Sequence, residues 1–210
     1  MANPAPTLRQ LVTAIVAHDS SAVDRLIAAS PRLATEAFSA GATRADAKAN
    51  FVEAVGRYIY AGDTALHFAA AAYQAEMARK LIASGANVHA RNRRRDQPLH
   101  SAASGNPGSL HWNPAAQAAT IVCLVEAGAD PNAVNMDGAS PLHKAVRTRC
   151  SMAVRTLLKC GANPRQLNKS GSTPMMLARQ NTGRGGSGSP EAKAQQREIF
   201  LILDEALKAG

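Results

Sequence analysis

Three histidines, His67, His100 and His143, and three cysteines, Cys123, Cys150 and Cys160, are the residues of this 210-residue chain best suited to bind a metal or move a proton. The cysteines are odd in number and form no Cys-x-x-Cys pair. Neither a disulfide framework nor a zinc knuckle is indicated, and a reducing cytoplasm is the expected setting. Each histidine belongs to a recurring motif, which makes it a structural group that hydrogen-bonds a turn; no metal site is expected. Cys150 invites covalent chemistry, because it lies where a helix begins and beside Arg149, and both features lower a thiol pKa. The base that such a nucleophile needs would be His111. Gly183-Arg184-Gly185-Gly186-Ser187-Gly188 spells a dinucleotide loop, but it follows a helix rather than a strand and has no βαβ unit around it. It also lacks the Gly-Lys-Ser/Thr ending of a phosphate loop. What remains is a phosphate contact through Arg184 and the amides before the next helix. No cofactor is expected, and the chain does not read as an enzyme.

A repeated helical unit must position these residues. Thr64-Ala65-Leu66-His67 recurs as Gln97-Pro98-Leu99-His100, Ser140-Pro141-Leu142-His143 and Thr173-Pro174-Met175-Met176, at intervals of 33, 43 and 33 residues. Gly85-Ala86-Asn87, Gly128-Ala129-Asp130 and Gly161-Ala162-Asn163 keep the same 43 and 33 spacing. Proline at 98, 141 or 174 fits the first turn of a helix, where its missing N–H costs nothing, and the neighbouring Leu or Met points into the stack. Gly62, Gly138 and Gly171 stand five residues before the fourth motif position and suit a turn with positive φ. In the second unit Arg95 replaces that glycine and Gln97 replaces Thr, so its turn is expected to be strained or reshaped.

The tetrapeptide and the Gly-Ala marker, recurring in register, resemble the ankyrin repeat family from about Ala61 to Gly210. The resemblance implies an all-α, right-handed solenoid of stacked helix pairs with β-turn fingers, whose fingers and inner helices form a concave face that binds partner proteins, usually without catalysis. Alanine-rich usage is similar to that of bacterial members. The whole chain reads as a single domain, with repeats at 62–94, 95–137, 138–170 and 171–210. Residues 1–61 form an amino-terminal helix pair, in which Leu8, Leu11, Val12, Ile15, Val16, Val23, Leu26 and Ile27 keep helical spacing. An insertion at about 36–58 carries Phe51, Val52, Val55 and Tyr58 at helical spacing and is expected to be helical. Ten extra residues fall between the two helices of the second repeat, in a Gly/Pro/Asn loop that holds His111 and Trp112, and the fourth repeat has a long loop over 180–189.

Lys and Arg outnumber Asp and Glu by 24 to 15, a net charge of +9 that favours an acidic partner. Aromatic residues are only 4%, against 46% apolar, as close packing of short helices requires. The amino terminus lacks a basic region followed by a long apolar run, so secretion and membrane insertion are disfavoured.

Two surfaces compete. Arg91, Arg93 and Arg94 crowd one finger, Lys169 sits at another tip, and Phe68, Lys144 and Leu177 follow the motif position on the concave side. This surface suits an acidic protein partner; nucleic acid is disfavoured because no aromatic residues are interleaved through it. The second surface is the inter-helix loop edge. The family consensus places Gly-His there, and this chain has Tyr73-Gln74 and Arg149-Cys150. With His111, Trp112, Arg147 and Arg184, this edge could enclose a small anionic or aromatic ligand, or could simply be loops packed on one another. The last helix, Pro190 to Lys208, carries Ile199, Phe200, Ile202, Leu203 and Leu207, which suit burial on the preceding repeat or self-association.

Overall fold

Thr7 opens the first helix with a reciprocal cap: its hydroxyl accepts from the Gln10 amide while the Gln10 side chain accepts from the Thr7 amide. The computed structural model describes residues 5–109, 112–180 and 189–209. From this cap α1 (Leu8–Val16) buries Leu8, Leu11, Val12 and Ile15, and α2 (Ser20–Ala29) starts on Asp19, whose carboxylate accepts from the Ala22 amide. Four more helix pairs follow: α3 (Ala65–Ala71) with α4 (Ala75–Ala83), α5 (Pro98–Ala103) with α6 (Pro114–Glu126), α7 (Pro141–Arg147) with α8 (Ser151–Lys159), and α9 (Pro174–Arg179) with α10 (Pro190–Ala209). Proline stands at the first position of α5, α7 and α9, as its missing N–H predicts.

The odd-numbered helices form an inner row in which each packs on the next, and α4, α6, α8 and α10 form an outer row. The core runs continuously between the rows. Leu66, Leu99 and Leu142 of the tetrapeptides are fully buried, each contributing about 2 kcal/mol of apolar burial. Among the described residues the fold is an all-α stack of helix pairs, with one small strand pair. α10 lies on α8 and α9 and buries Ala192, Ile199, Ile202 and Leu203, leaving Leu201 exposed.

The motif histidines join neighbouring repeats. In His67, His100 and His143, Nδ1 accepts from the backbone amide three residues earlier, at 3.1, 3.2 and 3.2 Å. The proton therefore sits on Nε2, which donates at 3.1 Å to the carbonyls of Asp96, Ala139 and Ser172 in the following repeat. Protonation would cost the Nδ1 acceptor and place a charge in the stack. Burial lowers all three imidazoles, His100 to about 4.

The segment from 36 to 58 departs from the helical expectation. Phe51–Val52 (β1) and Arg57–Tyr58 (β2) form an antiparallel hairpin, with Phe51 opposite Tyr58 and Val52 opposite Arg57. A short 3₁₀ turn, Glu53–Val55, and Gly56 in the left-handed region at φ 58° close it. Phe51 and Tyr58, seven residues apart, would share one face of a helix. They meet instead across the ladder, ring centroids 4.9 Å apart. A bridge between Ala37 and Thr64 ties the base of the insertion to the start of α3.

The finger of the second repeat is built as its sequence requires, with Arg95 held at φ 59° where Gly62, Gly138 and Gly171 adopt 83°, 70° and 71°. A side chain in this region is strained, and Arg95 is the one finger residue that bears it.

Candidate functional site

Each finger is organised by an asparagine. Asn92 Oδ1 accepts from the amides of Arg94 and Asp96, Asn135 Oδ1 from Asp137 and Ala139, and Asn168 Oδ1 from Ser170 and Ser172. The Nδ2 groups of the first two reach back one repeat, to the carboxylates of Asp63 at 2.9 Å and Asp96 at 2.8 Å. Sequence reasoning missed this ladder, although Asn92, Asn135 and Asn168 repeat the 43 and 33 spacing already used for the glycines.

Because the fingers share one geometry, equivalent positions line up along the stack. One row is Arg91, Val134 and Leu167; the next is Arg93, Met136 and Lys169. All six are exposed, with Val134, Met136 and Leu167 at 38, 47 and 60%. Arg91 Nη1 donates to the Val134 carbonyl at 2.9 Å, so the first row is bridged between repeats. Arg93 donates to the Ala42 carbonyl at 2.6 Å and lies over the Tyr60 ring at 4.8 Å, anchoring the insertion. Arg94 is half-buried and faces Asp137 at 3.5 Å.

On the inner-helix side, Lys144 reaches Asp96 at 3.3 Å. Burial alone would raise the Asp96 carboxyl; Lys144 and the Asn135 amide hold it below its ordinary value instead. Burial pulls the Lys144 ammonium down against the opposing pull of Asp96. Phe68 corrects the expectation that it meets a partner. It is fully buried, with Phe38 edge-on at 6.2 Å and the Arg57 guanidinium over its ring at 5.0 Å. The insertion has covered the position.

The loop edge brings Tyr73, Trp112 and Cys150 together around Gly105. A Cβ there would stand 2.6 Å from Cys150 Sγ, 2.9 Å from the Tyr73 hydroxyl and 3.0 Å from Trp112 Nε1. Tyr73 donates to the Ser104 carbonyl at 2.6 Å, Trp112 Nε1 to Gln117 Oε1 at 3.0 Å, and Gln117 Nε2 to the Ala102 carbonyl at 2.9 Å. Burial raises the Tyr73 phenol, with the Cys150 thiol adding to it. Cys150 overturns the nucleophile reading. It caps α8 beside Arg149, yet its side chain is fully buried and burial pushes the thiol up to about 11, against hydrogen bonds to Thr148 and Gln117 that lower it.

Arg149, buried, and Tyr73, half-buried, are both left-handed, at φ 60° and 56°, at the corners where the family has glycine. Exposed Arg147 and buried Arg149 border a space of about 10 Å³ together with Leu177, Gln180 and Gln196, room for a single water and no more. His111 and Arg184 lie outside the described residues. The described corner around Gly105, where Tyr73, Trp112 and Cys150 meet, is tightly packed.

No group of three or more His, Cys, Asp or Glu that could hold a metal stands together among the described residues, and no helix there is long and apolar enough to cross a membrane. A family model described as ankyrin repeats in three copies matches residues 113–187, and one for the ankyrin repeat matches residues 61–93; together they span more than half of the chain. Between the matched stretches lie 94–112, where Arg95 and Gln97 replace the usual finger residues and the ten-residue insertion falls. No curated protein matches the chain. Ankyrin repeats generally mediate protein–protein interaction. The recurring motifs, the five stacked helix pairs and these matches agree, and the chain belongs to the ankyrin repeat family.

Proposed function

We propose that this protein is a non-catalytic interaction scaffold whose partner is another protein, docked along the finger tips and carrying acidic groups beside apolar ones. The observation that carries this reading is the pair of finger rows: exposed Arg91 and Arg93 on one finger stand beside exposed Val134 and Met136 on the next, followed by Leu167 and Lys169 on the third. Cations steer and orient an acidic partner, while desolvated apolar side chains supply most of the affinity. Lys144 is already committed to Asp96, and Phe68 is covered, so the tips rather than the inner helices carry the contact. The setting we propose is the cytoplasm, where the free thiols Cys123, Cys150 and Cys160 stay reduced.

The test compares what is captured from a cell extract by the wild-type chain, by an Arg91→Glu/Lys169→Glu variant and by Arg147→Glu on the opposite edge, using quantitative mass spectrometry. Reversing the finger charges should cut capture of the specific partner by about tenfold or more while Arg147→Glu leaves it intact. Selective loss with Arg147→Glu would move the interface to the loop edge and overturn the finger assignment.

A further inference from the structure

Arg57 occupies a site on the inner-helix face as an outside ligand would. Its Nη2 lies 3.0 and 3.1 Å from the two oxygens of Asp63, and its Nη1 lies 2.7 Å from Ser101 Oγ and 3.4 Å from the His67 carbonyl. The plane of Phe68 lies beneath, 5.0 Å from the guanidinium carbon. Asp63, Phe68 and His67 are fully buried members of the first repeat, and Ser101 belongs to the second. The set of a two-oxygen acceptor, a hydroxyl, a carbonyl and an aromatic face matches the fork of a guanidinium and not the point charge of an ammonium.

One repeat along the stack, the equivalent acid is treated differently. Asp96 is 33 residues after Asp63, and its cation is Lys144, from the inner helix of the next repeat. The residue in the place of Lys144 that faces Asp63 is Ser101, which has no charge to offer. The helix stack thus leaves its first buried carboxylate without a cation of its own, and the cation arrives on the hairpin. That hairpin buries little of its own surface: from 51 to 58 it contains no buried residue, only Val52, Val55 and Arg57 are half-buried, and its firm anchors are Arg57 itself and Ile59 just beyond it. Segments with so little burial open locally at a small fraction of the global stability.

We propose that Asp63, Phe68 and Ser101 form a guanidinium-binding site that the chain fills with its own Arg57, and that receives an arginine side chain of a partner protein when the β1–β2 hairpin lifts. The hairpin is then a plug. It keeps the buried carboxylate neutralised until a partner arginine takes over, while Phe51 and Tyr58, paired across the ladder and exposed, lie next to Val52 and Arg57 in sequence and so on the other face of the hairpin. The site is separate from the finger tips, so charge reversal at Arg91 and Lys169 leaves it untouched.

The experiment uses the full chain and N-acetyl-arginine amide as probe, with N-acetyl-lysine amide as control, followed by amide chemical shifts. Arg57→Ala should bind the arginine probe at least about tenfold more tightly than wild type, because in the wild type the site is open only for the fraction of time that Arg57 is away. Asp63→Asn in the Arg57→Ala background should abolish binding, and the lysine probe should bind poorly throughout. Equal binding by wild type and Arg57→Ala, no binding by either, or binding that survives Asp63→Asn overturns the proposal. Should Arg57→Ala not fold, Arg57→Lys, which keeps the charge and loses the fork, carries the same comparison. In the wild type, hydrogen exchange at amides 51–58 should run through local opening and should speed up at saturating probe. Exchange that the probe leaves unchanged shows that the hairpin does not lift, and overturns the plug.

Discussion

The Arg57 guanidinium faces the fully buried carboxylate of Asp63 with both oxygens within 3.1 Å, one of the ties between the insertion and the helix stack. Removing one partner of a buried pair costs far more than the pair contributes, because the remaining charge stays out of water. Arg57→Ala should therefore lower unfolding stability by about 3 kcal/mol, whereas Arg57→Ala/Asp63→Asn should recover part of that loss. Urea unfolding of the three chains checks this. An unchanged midpoint in Arg57→Ala would mean that the ion pair holds nothing.

The strained finger offers the opposite sign. Arg95 is exposed and sits at φ 59°, so Arg95→Gly should stabilise the chain by about 1 kcal/mol, read as a higher Tm. Gly62→Ala should destabilise it, since φ is 83° and the added Cβ would lie 2.7 Å from the Arg91 carbonyl.

Acid should loosen the contacts between repeats. His67, His100 and His143 have folded-state pKa values below the ordinary 6.5, His100 at about 4, so between these values the unfolded chain binds more protons than the folded one. Stability is then complete above pH 6.5 and falls as pH drops towards 4, at about 1.4 kcal/mol per pKa unit of each histidine. Tm should be lower at pH 5 than at pH 7.5, and His100→Gln should flatten that slope while lowering Tm at both. A pH-independent Tm would contradict the relay.

Thiol chemistry separates packed from accessible cysteines. Burial raises all three thiols, Cys150 highest at about 11, and Cys150 is fully enclosed whereas Cys160 is half-buried. At pH 8 a small disulfide reagent should label Cys160 readily and reach Cys150 only on unfolding. Fast labelling of Cys150 in the native chain would show the corner to be open.

The same corner is sensitive to volume. Gly105→Ala puts a methyl 2.6 Å from Cys150 Sγ and 2.9 Å from the Tyr73 hydroxyl, a cost of about 1–3 kcal/mol. Trp112, whose Nε1 would be 3.0 Å from that methyl, should report the disturbance as a shifted emission maximum.

The register of the repeats, the prolines at helix starts, the glycines of the fingers and the strain at Arg95 could all be read along the chain, because each obeys a local rule of backbone geometry repeated at a fixed period. That periodicity also carried the structural role of His67, His100 and His143. Local rules failed where two patterns coincide: Phe51 and Tyr58, seven apart, satisfy a helix face and a cross-strand pair equally, and the contact between them selected the hairpin. The cation opposite Asp63, the covering of Phe68 and the high pKa of Cys150 depend on which distant groups are brought within a few ångströms and on how much water is left between them. Ser101 lacks a charge, so Arg57 supplies it from 44 residues away, and only the folded stack brings the two within reach.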